Sequence, residues 1–145
     1  MTNSSVLSCY SLFDGLEEEQ IDIILPLMEF ENFEANTDII VEGDPNNKIY
    51  FILDGLVMVY KDGVELMGLE EGGVFGEMEV LEILPVEATI RTVSPTKVMT
   101  LSIDALGEIY DTDLKIYSFI MMNLARDLAR RIRRLNSRVI TSDQN

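Results

Sequence analysis

Short apolar runs separated by turn residues fill the middle of the chain and constrain its fold more than any other feature. Asp54-Gly55 and Asp62-Gly63 each separate two neighbouring runs, and Asp-Gly is typical of a tight β-hairpin because glycine accepts a positive φ. Many short strands at this spacing predict a β-sandwich or barrel of the jelly-roll type. The six runs cover residues 38–41, 49–53, 56–60, 64–69, 88–93 and 98–103.

Helical periodicity appears on both sides of these runs. Between residues 12 and 29, apolar residues recur at spacings of three and four, and Pro26 predicts a kink or break in that helix. The predicted fold class is mainly β with flanking helices. We expect a jelly roll with an N-terminal helix over residues 1–112, a C-terminal helix over 113–139 and a tail over 140–145.

The C-terminal helix carries an apolar seam with heptad spacing. Its residues are separated by four, three, four, four, three and four positions, which is typical of helices that pair with one another. We therefore predict a parallel homodimer in which this helix pairs with its twin. The seam consists of Tyr117, Met121, Leu124, Leu128, Ile132, Leu135 and Val139.

Charge is unevenly distributed along the chain. The formal net charge is −15, but residues 126–138 contain six arginines and one aspartate, a net +5, which leaves −20 for the remainder. An acidic chain of this kind is not expected to bind nucleic acid or membrane surfaces generally. The arginines are interpreted as a solvated helix face beside the seam, or as a docking surface for an acidic partner or for the chain's own acidic part. A nucleic-acid site is the third and weakest alternative, because no helix-turn-helix pattern follows the segment in this sequence.

The composition argues against most enzyme classes. The chain has no histidine, which removes the commonest general base and metal ligand, and the single Cys9 cannot form an internal disulfide. We therefore expect no catalytic residues, no metal site and no enzymatic activity. The sequence has no signal-peptide pattern and no apolar run of the ~20 residues that span a membrane, so a cytoplasmic location without a membrane partner is expected. The sequence is expected to be either a stand-alone module or a part of a longer chain with an output domain, and the polar ending favours the first alternative.

One interval among the strands has a different character. Residues 71–78 contain three glycines and lead into a short apolar segment, and such a loop can offer backbone N–H groups to an anion at a helix start. By itself this pattern predicts only a loop.

The same interval resembles the phosphate-binding cassette of cyclic-nucleotide-binding domains. The cassette pattern begins at Phe75-Gly76-Glu77, continues from Met78 to Pro85, and ends with Ala88-Thr89 entering a strand. Further similarity lies at 12–16, 42–44, 50–53 and 55–57 and in the C-terminal helix, so it covers about residues 12–138. The resemblance implies an eight-stranded roll that carries a ligand and a helix that closes over the pocket or dimerises. It also implies that Glu77 accepts the sugar 2′-hydroxyl.

The resemblance departs from the family pattern at the phosphate site. Val86 stands where the family has an arginine that pairs with the cyclic phosphate, and Glu87 stands where a small or hydroxyl residue is usual. Arginine suits that role because its guanidinium donates two parallel hydrogen bonds to one anion, whereas valine donates none. Arg91 is not expected to replace it, because its odd offset from Val86 places it on the other face of a regular strand.

These observations predict a regulatory module that acts through dimerisation or a protein partner and does not bind cyclic AMP or cyclic GMP in the family manner. The alternative is a sensor of a cyclic nucleotide or another small molecule with an altered pocket. The ligand pocket by resemblance comprises Phe75, Gly76, Glu77, Met78, Val86, Glu87, Ala88 and Thr89. Glu77 is interpreted either as a ligand acceptor or as a cap of its own helix, and no resident cofactor is expected.

Overall fold

A computed structural model describes residues 3–82 and 86–143, with side chains described to residue 137. Within these described residues, five α-helices lie at α1 (Ser4–Leu7), α2 (Glu18–Ile24), α3 (Glu77–Glu82), α4 (Ile103–Thr112) and α5 (Leu114–Asp143). The same part of the chain contains eight strands, at β1 (Glu29–Phe33), β2 (Asp38–Ile40), β3 (Lys48–Asp54), β4 (Leu56–Lys61), β5 (Val64–Glu70), β6 (Val74–Phe75), β7 (Thr89–Thr92) and β8 (Thr96–Ser102). The predicted fold class, mainly β with flanking helices, is confirmed.

Contacts within the chain form two compact units. One unit runs from Ile24 to Glu108 and contains all eight strands, and the other joins the chain before Ile24 to the chain after Glu108. The N-terminal helical segment thus shares its contacts with the C-terminal helix, whereas the sequence prediction grouped it with the roll.

The strand unit contains two four-stranded antiparallel sheets. Their strand orders are β1-β8-β3-β6 and β2-β7-β4-β5. Asp62 and Gly63 have φ values of 52° and 78°, as a two-residue hairpin turn between β4 and β5 requires. The hairpin predicted at Asp54-Gly55 is wrong, because β3 and β4 belong to different sheets and this turn leads from one sheet to the other. The buried cluster of this unit comprises Ile40, Tyr50, Ile52, Val57, Leu69, Phe75, Val86, Ile90 and Val98.

All six predicted strand segments contain strands, and two further strands were not predicted. In β1 none of the side chains is fully buried, so its sequence lacks the apolar alternation that marks a strand. β6 has only two residues, Val74 and Phe75, which is too short for a periodic signal. Both strands therefore depend on pairing with distant parts of the chain.

The helical unit is organised around α5. The Asp113 carboxylate accepts hydrogen bonds from the backbone N–H groups of Lys115 and Ile116 at 3.0 and 3.2 Å, and it thereby caps the start of the helix. The helix continues to Asp143, so the predicted tail from residue 140 is wrong up to that position. Pro26 lies in a 3₁₀ turn, Leu25–Leu27, directly after α2, which agrees with the predicted break.

A buried asparagine joins the N-terminal segment to α5. The Asn123 side-chain amide donates hydrogen bonds to the carbonyl oxygens of Leu12 and Asp14 at 2.6 and 3.0 Å. Next to these contacts, Gly15 has a φ of +86°, and a Cβ built on it would lie 2.7 Å from the Phe119 ring. The N-terminal turn can therefore approach α5 this closely only with glycine at this position.

Candidate functional site

The first half of the cassette is a tight glycine turn between β6 and α3. Gly76 has a φ of +83°, and a Cβ on it would lie 2.6 Å from the Lys48 carbonyl oxygen. The Asn46 side-chain amide donates to the carbonyl oxygens of both Lys48 and Gly76, at 2.9 and 3.1 Å. The turn is thus held against the start of β3, and only glycine fits it without strain.

Two aromatic rings lie next to this turn. The rings of Tyr50 and Phe75 stack with their centroids 4.8 Å apart and their planes 5° apart. Burial raises the pKa of Tyr50 above its usual value, and the nearby charge of Glu31 raises it further. Asn46 and Tyr50 therefore shape this part of the site. The sequence analysis did not select either residue as part of the site. The sequence signal that could have indicated Asn46 is its position in a turn of aspartate and asparagine residues, whose side chains often bond to nearby backbone groups.

Glu77 is the first residue of α3, and its burial stands out for a charged side chain. It is 1% exposed, whereas the neighbouring Met78 is 54% exposed. A carboxylate in the first turn of a helix interacts favourably with the partial positive charge of the free N–H groups there. Both interpretations of Glu77, ligand acceptor and helix cap, agree with this position.

The second half of the described cassette begins at Val86, and this side chain points into the apolar core. Val86 is 3% exposed and belongs to the buried cluster of the strand unit. Its backbone N–H donates to the Asp44 carbonyl oxygen at 3.3 Å, and its carbonyl oxygen accepts from the Gly43 N–H at 2.9 Å. The backbone of Val86 is therefore fixed to the turn before β3, and its side chain packs in the apolar cluster.

Glu87 lies at the surface beside other charged groups. Its carboxylate is 3.9 Å from the Lys61 ammonium group, and both side chains are largely exposed. Burial raises the pKa of the half-buried Glu79 above its usual value, and the charge of Glu87 raises it further, against a backbone hydrogen bond that lowers it. Burial, with a smaller contribution from the charge of Glu87, therefore disfavours the charged form of Glu79 and raises its pKa.

Ala88 and Thr89 complete the sequence-predicted pocket residues. Ala88 is half-buried, and the Thr89 hydroxyl accepts a hydrogen bond from the Glu42 backbone N–H at 3.1 Å. Arg91 is exposed and donates from Nε to an Asp38 carboxylate oxygen at 2.6 Å, whereas its neighbour Ile90 is buried. Arg91 thus points away from the core that holds Val86, as its offset predicted.

Comparison with known proteins identifies this architecture. A family model described as a cyclic nucleotide-binding domain matches residues 30–113. The chain belongs to the cyclic nucleotide-binding domain family. A cyclic nucleotide-binding domain from Methylobacillus flagellatus covers 95% of this chain and 80% of its own, with a TM-score of 0.85 at 23% identity, and so shows the fold.

Curated relatives of this cyclic nucleotide-binding domain are much longer proteins. Glutaminase 2 of Bradyrhizobium diazoefficiens is 31% identical over 89% of this chain and 21% of its own length. A cGMP-dependent protein kinase of Plasmodium berghei is 35% identical over 61% of this chain and 10% of its own. The chain therefore spans about a fifth or less of these relatives.

The two halves of the predicted seam of this domain differ in how far their side chains are buried. In the first half of α5 the buried residues are Ile116, Ile120, Asn123 and Leu124, so the seam residue Leu124, 2% exposed, packs within its own chain. Tyr117, Met121 and Leu128 are half-buried, whereas Ile132 and Leu135 are 59% and 42% exposed. Leu124 is thus not accessible to a twin helix. Val139 lies outside the described side chains.

The arginines of α5 also differ from one another in exposure and in ion pairing. Arg131 Nη2 lies 3.5 Å from an Asp127 carboxylate oxygen, and burial raises the pKa of Asp127 although Arg131, Arg134 and Arg130 lower it. Arg126, Arg130, Arg133 and Arg134 are exposed. At about 100° per residue, Arg126, Arg130 and Arg133 lie on the side of the helix opposite to Leu128, Ile132 and Leu135.

The described residues hold no group of three or more side chains suited to a metal ion. Within the same residues, no helix has the length and apolar character needed to cross a bilayer.

Proposed function

We propose that this chain is a regulatory module of the cyclic nucleotide-binding fold that does not bind cyclic AMP or cyclic GMP through an arginine–phosphate pair, and that it acts through homodimerisation or contact with a protein partner. The observation that carries the proposal is Val86. It occupies the position that the family gives to the phosphate-binding arginine, and its side chain belongs to the buried apolar cluster.

Charge around this position supports the proposal. Residues 75–89 contain four glutamates and no lysine or arginine. Lys61 lies beside Glu87, and Arg91 pairs with Asp38. The described residues of the cassette therefore do not fit a cyclic phosphate. Removing one partner of a buried charge pair costs about 2–5 kcal/mol, and a loss of about 4 kcal/mol weakens binding roughly a thousandfold.

Ligand binding tests the proposal directly. A ligand that binds only the native state raises the melting temperature by mass action. We expect cyclic AMP and cyclic GMP at about 1 mM to leave the melting temperature unchanged, with a calorimetric titration as the second measurement. A saturable shift with either nucleotide contradicts the proposal.

A gain-of-function variant tests whether the missing guanidinium and the added carboxylate are the reason for the expected lack of binding. Val86→Arg with Glu87→Ala restores the guanidinium and removes the repelling carboxylate, so measurable cyclic-nucleotide affinity is expected. Because Val86 is buried, an arginine at this position can destabilise the fold. A cooperative thermal transition of the variant is therefore the check that it is folded. If the variant shows no such transition, Glu87→Arg supplies the guanidinium at an exposed position and leaves the apolar cluster intact. A folded variant without affinity indicates a defect wider than these two side chains.

An altered sensor is the second candidate, and the first half of the cassette favours it. Gly76 keeps its tight turn and Glu77 is buried at the start of α3, so a hydroxyl-bearing ligand without a cyclic phosphate could still use this half. A thermal-shift panel of uncharged nucleosides and sugars distinguishes the two candidates. A saturable shift that Glu77→Gln abolishes supports the sensor, and no shift across the panel supports the ligand-free module.

The proposed dimer rests on the exposed apolar residues of α5. Burying a leucine or isoleucine side chain fully contributes about 1.5–3 kcal/mol, and Ile132 and Leu135 are largely exposed in the single chain. Leu128→Asp should place a charge between the paired helices, where its desolvation is unfavourable. Light scattering at tens of micromolar protein, in about 1 M salt so that exposed charge contacts are screened, is expected to give a dimer for the wild type and a monomer for the variant. Arg133→Asp, on the opposite side of the helix, is the control that should remain dimeric.

A wild-type monomer at that concentration contradicts the dimer and leaves contact with another protein as the mode of action.

A further inference from the structure

Two exposed helix faces carry opposite charges at the same spacing. On α4 the acidic face consists of Asp104, Glu108 and Asp111, at positions i, i+4 and i+7. On α5 the basic face consists of Arg126, Arg130 and Arg133, also at i, i+4 and i+7. With a rise of 1.5 Å per residue, each row places charges about 6 Å and then about 4.5 Å apart along its helix.

These six side chains are free for an intermolecular contact. All six are exposed, and among the described residues none of them makes an ion pair within 4 Å, although the charge of Arg130 acts on the nearby Asp127. The basic face lies on the side of α5 opposite to Leu128, Ile132 and Leu135, so a dimer formed through those apolar residues leaves the arginines unused.

The acidic face also permits close approach of another helix. Gly107 lies among its three acids, and a Cβ placed on it would meet nothing within 4 Å. Ile103 and Tyr110 lie beside the acids and are 41% and 54% exposed. On α5, Met122 lies on the side of the basic face and is 53% exposed. Each charged row thus has apolar surface next to it that a contact would cover.

We propose that the basic face of α5 binds the acidic face of α4 of a second copy of this chain. In a parallel alignment the equal spacing places Arg126, Arg130 and Arg133 opposite Asp104, Glu108 and Asp111, respectively. The match in spacing favours this occupant over nucleic acid or an anionic membrane. Those surfaces extend beyond one helix and would also face the rest of the chain, which carries a strong negative charge.

Salt should affect this contact in a defined way. Two copies at −15 each repel one another at long range, but at about 0.15 M salt charges beyond ~8 Å are screened and charges in contact are not. Self-association through the two faces is therefore expected at about 0.15 M salt and should be lost at about 1 M, where screening acts within ~3 Å.

Complementary charge reversal tests the pairing. The basic-face variant carries Arg126→Glu, Arg130→Glu and Arg133→Glu, and the acidic-face variant carries Asp104→Lys, Glu108→Lys and Asp111→Lys. Because three exposed ion pairs are lost, each variant alone should self-associate about 10- to 100-fold more weakly than the wild type in sedimentation velocity. An equimolar mixture of the two variants should regain association, since the reversed faces match each other.

A control separates the faces from net charge. Glu17→Lys, Glu18→Lys and Glu19→Lys change the net charge as the acidic-face variant does, but they lie outside α4. This control should associate at least as strongly as the wild type. Every chain in this experiment also carries Leu128→Asp, which removes the proposed homodimer and leaves the two charged faces intact. A failure of the charged-face contact can therefore be distinguished from a failure of the homodimer.

Two results would overturn the proposal. One is a mixture of the reversed variants that associates no better than each variant alone. The other is a wild type that binds a short DNA duplex or anionic vesicles through Arg126, Arg130 and Arg133 but shows no self-association at about 0.15 M salt.

Discussion

The two ends of the cassette differ in what holds them in place. At the first end, the Gly76 turn is held by the Asn46 amide and by close contact with the Lys48 carbonyl oxygen. At the second end, Val86 is held by apolar packing and by hydrogen bonds to the turn at Gly43-Asp44. The first end keeps a geometry that glycine alone allows, whereas the second end depends on a buried apolar side chain. Two ends of one short segment can therefore be held by different forces, a hydrogen-bonded glycine turn and apolar packing.

The largest expected effect is at the first end. Gly76→Ala adds a Cβ at a positive φ and within 2.6 Å of a carbonyl oxygen, so we expect the free energy of unfolding to fall by about 2–5 kcal/mol. Gly72→Ala is the matched control, because Gly72 has a φ of +86° but nothing within 4 Å of its added Cβ. It should lose only about 1–2 kcal/mol. Urea denaturation measures both, and equal losses would show that the close contact at Gly76 contributes nothing.

A smaller effect is expected at the second end. Val86→Ala removes two buried methyl groups from the apolar cluster and should lower the free energy of unfolding by about 1–3 kcal/mol. Glu87→Ala, at the next and exposed position, should change it by less than about 0.5 kcal/mol. Thermal and urea denaturation give both values. A neutral Val86→Ala would mean that Val86 does not stabilise the cluster.

The smallest expected effect is a pH dependence of the stability contributed by Glu79, which lies between the two ends of the cassette. Burial and the charge of Glu87 raise the pKa of Glu79 in the folded state, so the folded chain holds this proton more tightly than the unfolded chain. The stabilisation is complete below the unfolded-state pKa and is lost as the pH rises through the folded-state pKa. Glu79→Gln, a neutral substitute, should therefore be more stable than the wild type at pH 7, and the difference should shrink towards pH 4.

Urea denaturation across this pH range measures the difference, with Glu82→Gln at an exposed position of the same helix as the control. A Glu79→Gln effect that does not change with pH would show that the substitution acts through packing and not through the charge.

Much of the fold could be predicted because its signals are local. The Asp62-Gly63 turn requires positive φ at two successive residues, and that requirement is readable in two letters of sequence. The break at Pro26 is local in the same sense. Strand β1 could not be predicted, because its side chains are partly or fully exposed and its partner β8 lies about 70 residues further along the chain.

In the cassette, too, some properties follow from the sequence alone and others depend on the tertiary structure. The sequence alone determined that no guanidinium follows Pro85 and that residues 75–89 carry only acidic charges, because side-chain chemistry does not depend on the fold. The tertiary structure decided that Val86 enters the core and that Asn46 supports Gly76, because both contacts join segments about 30 or more residues apart. On α5, heptad spacing alone could not separate Leu124, which is buried within its own chain, from Ile132, which is exposed. The spacing specifies which residues share a face of the helix, and only the packing of the rest of the chain determines how much of that face remains accessible.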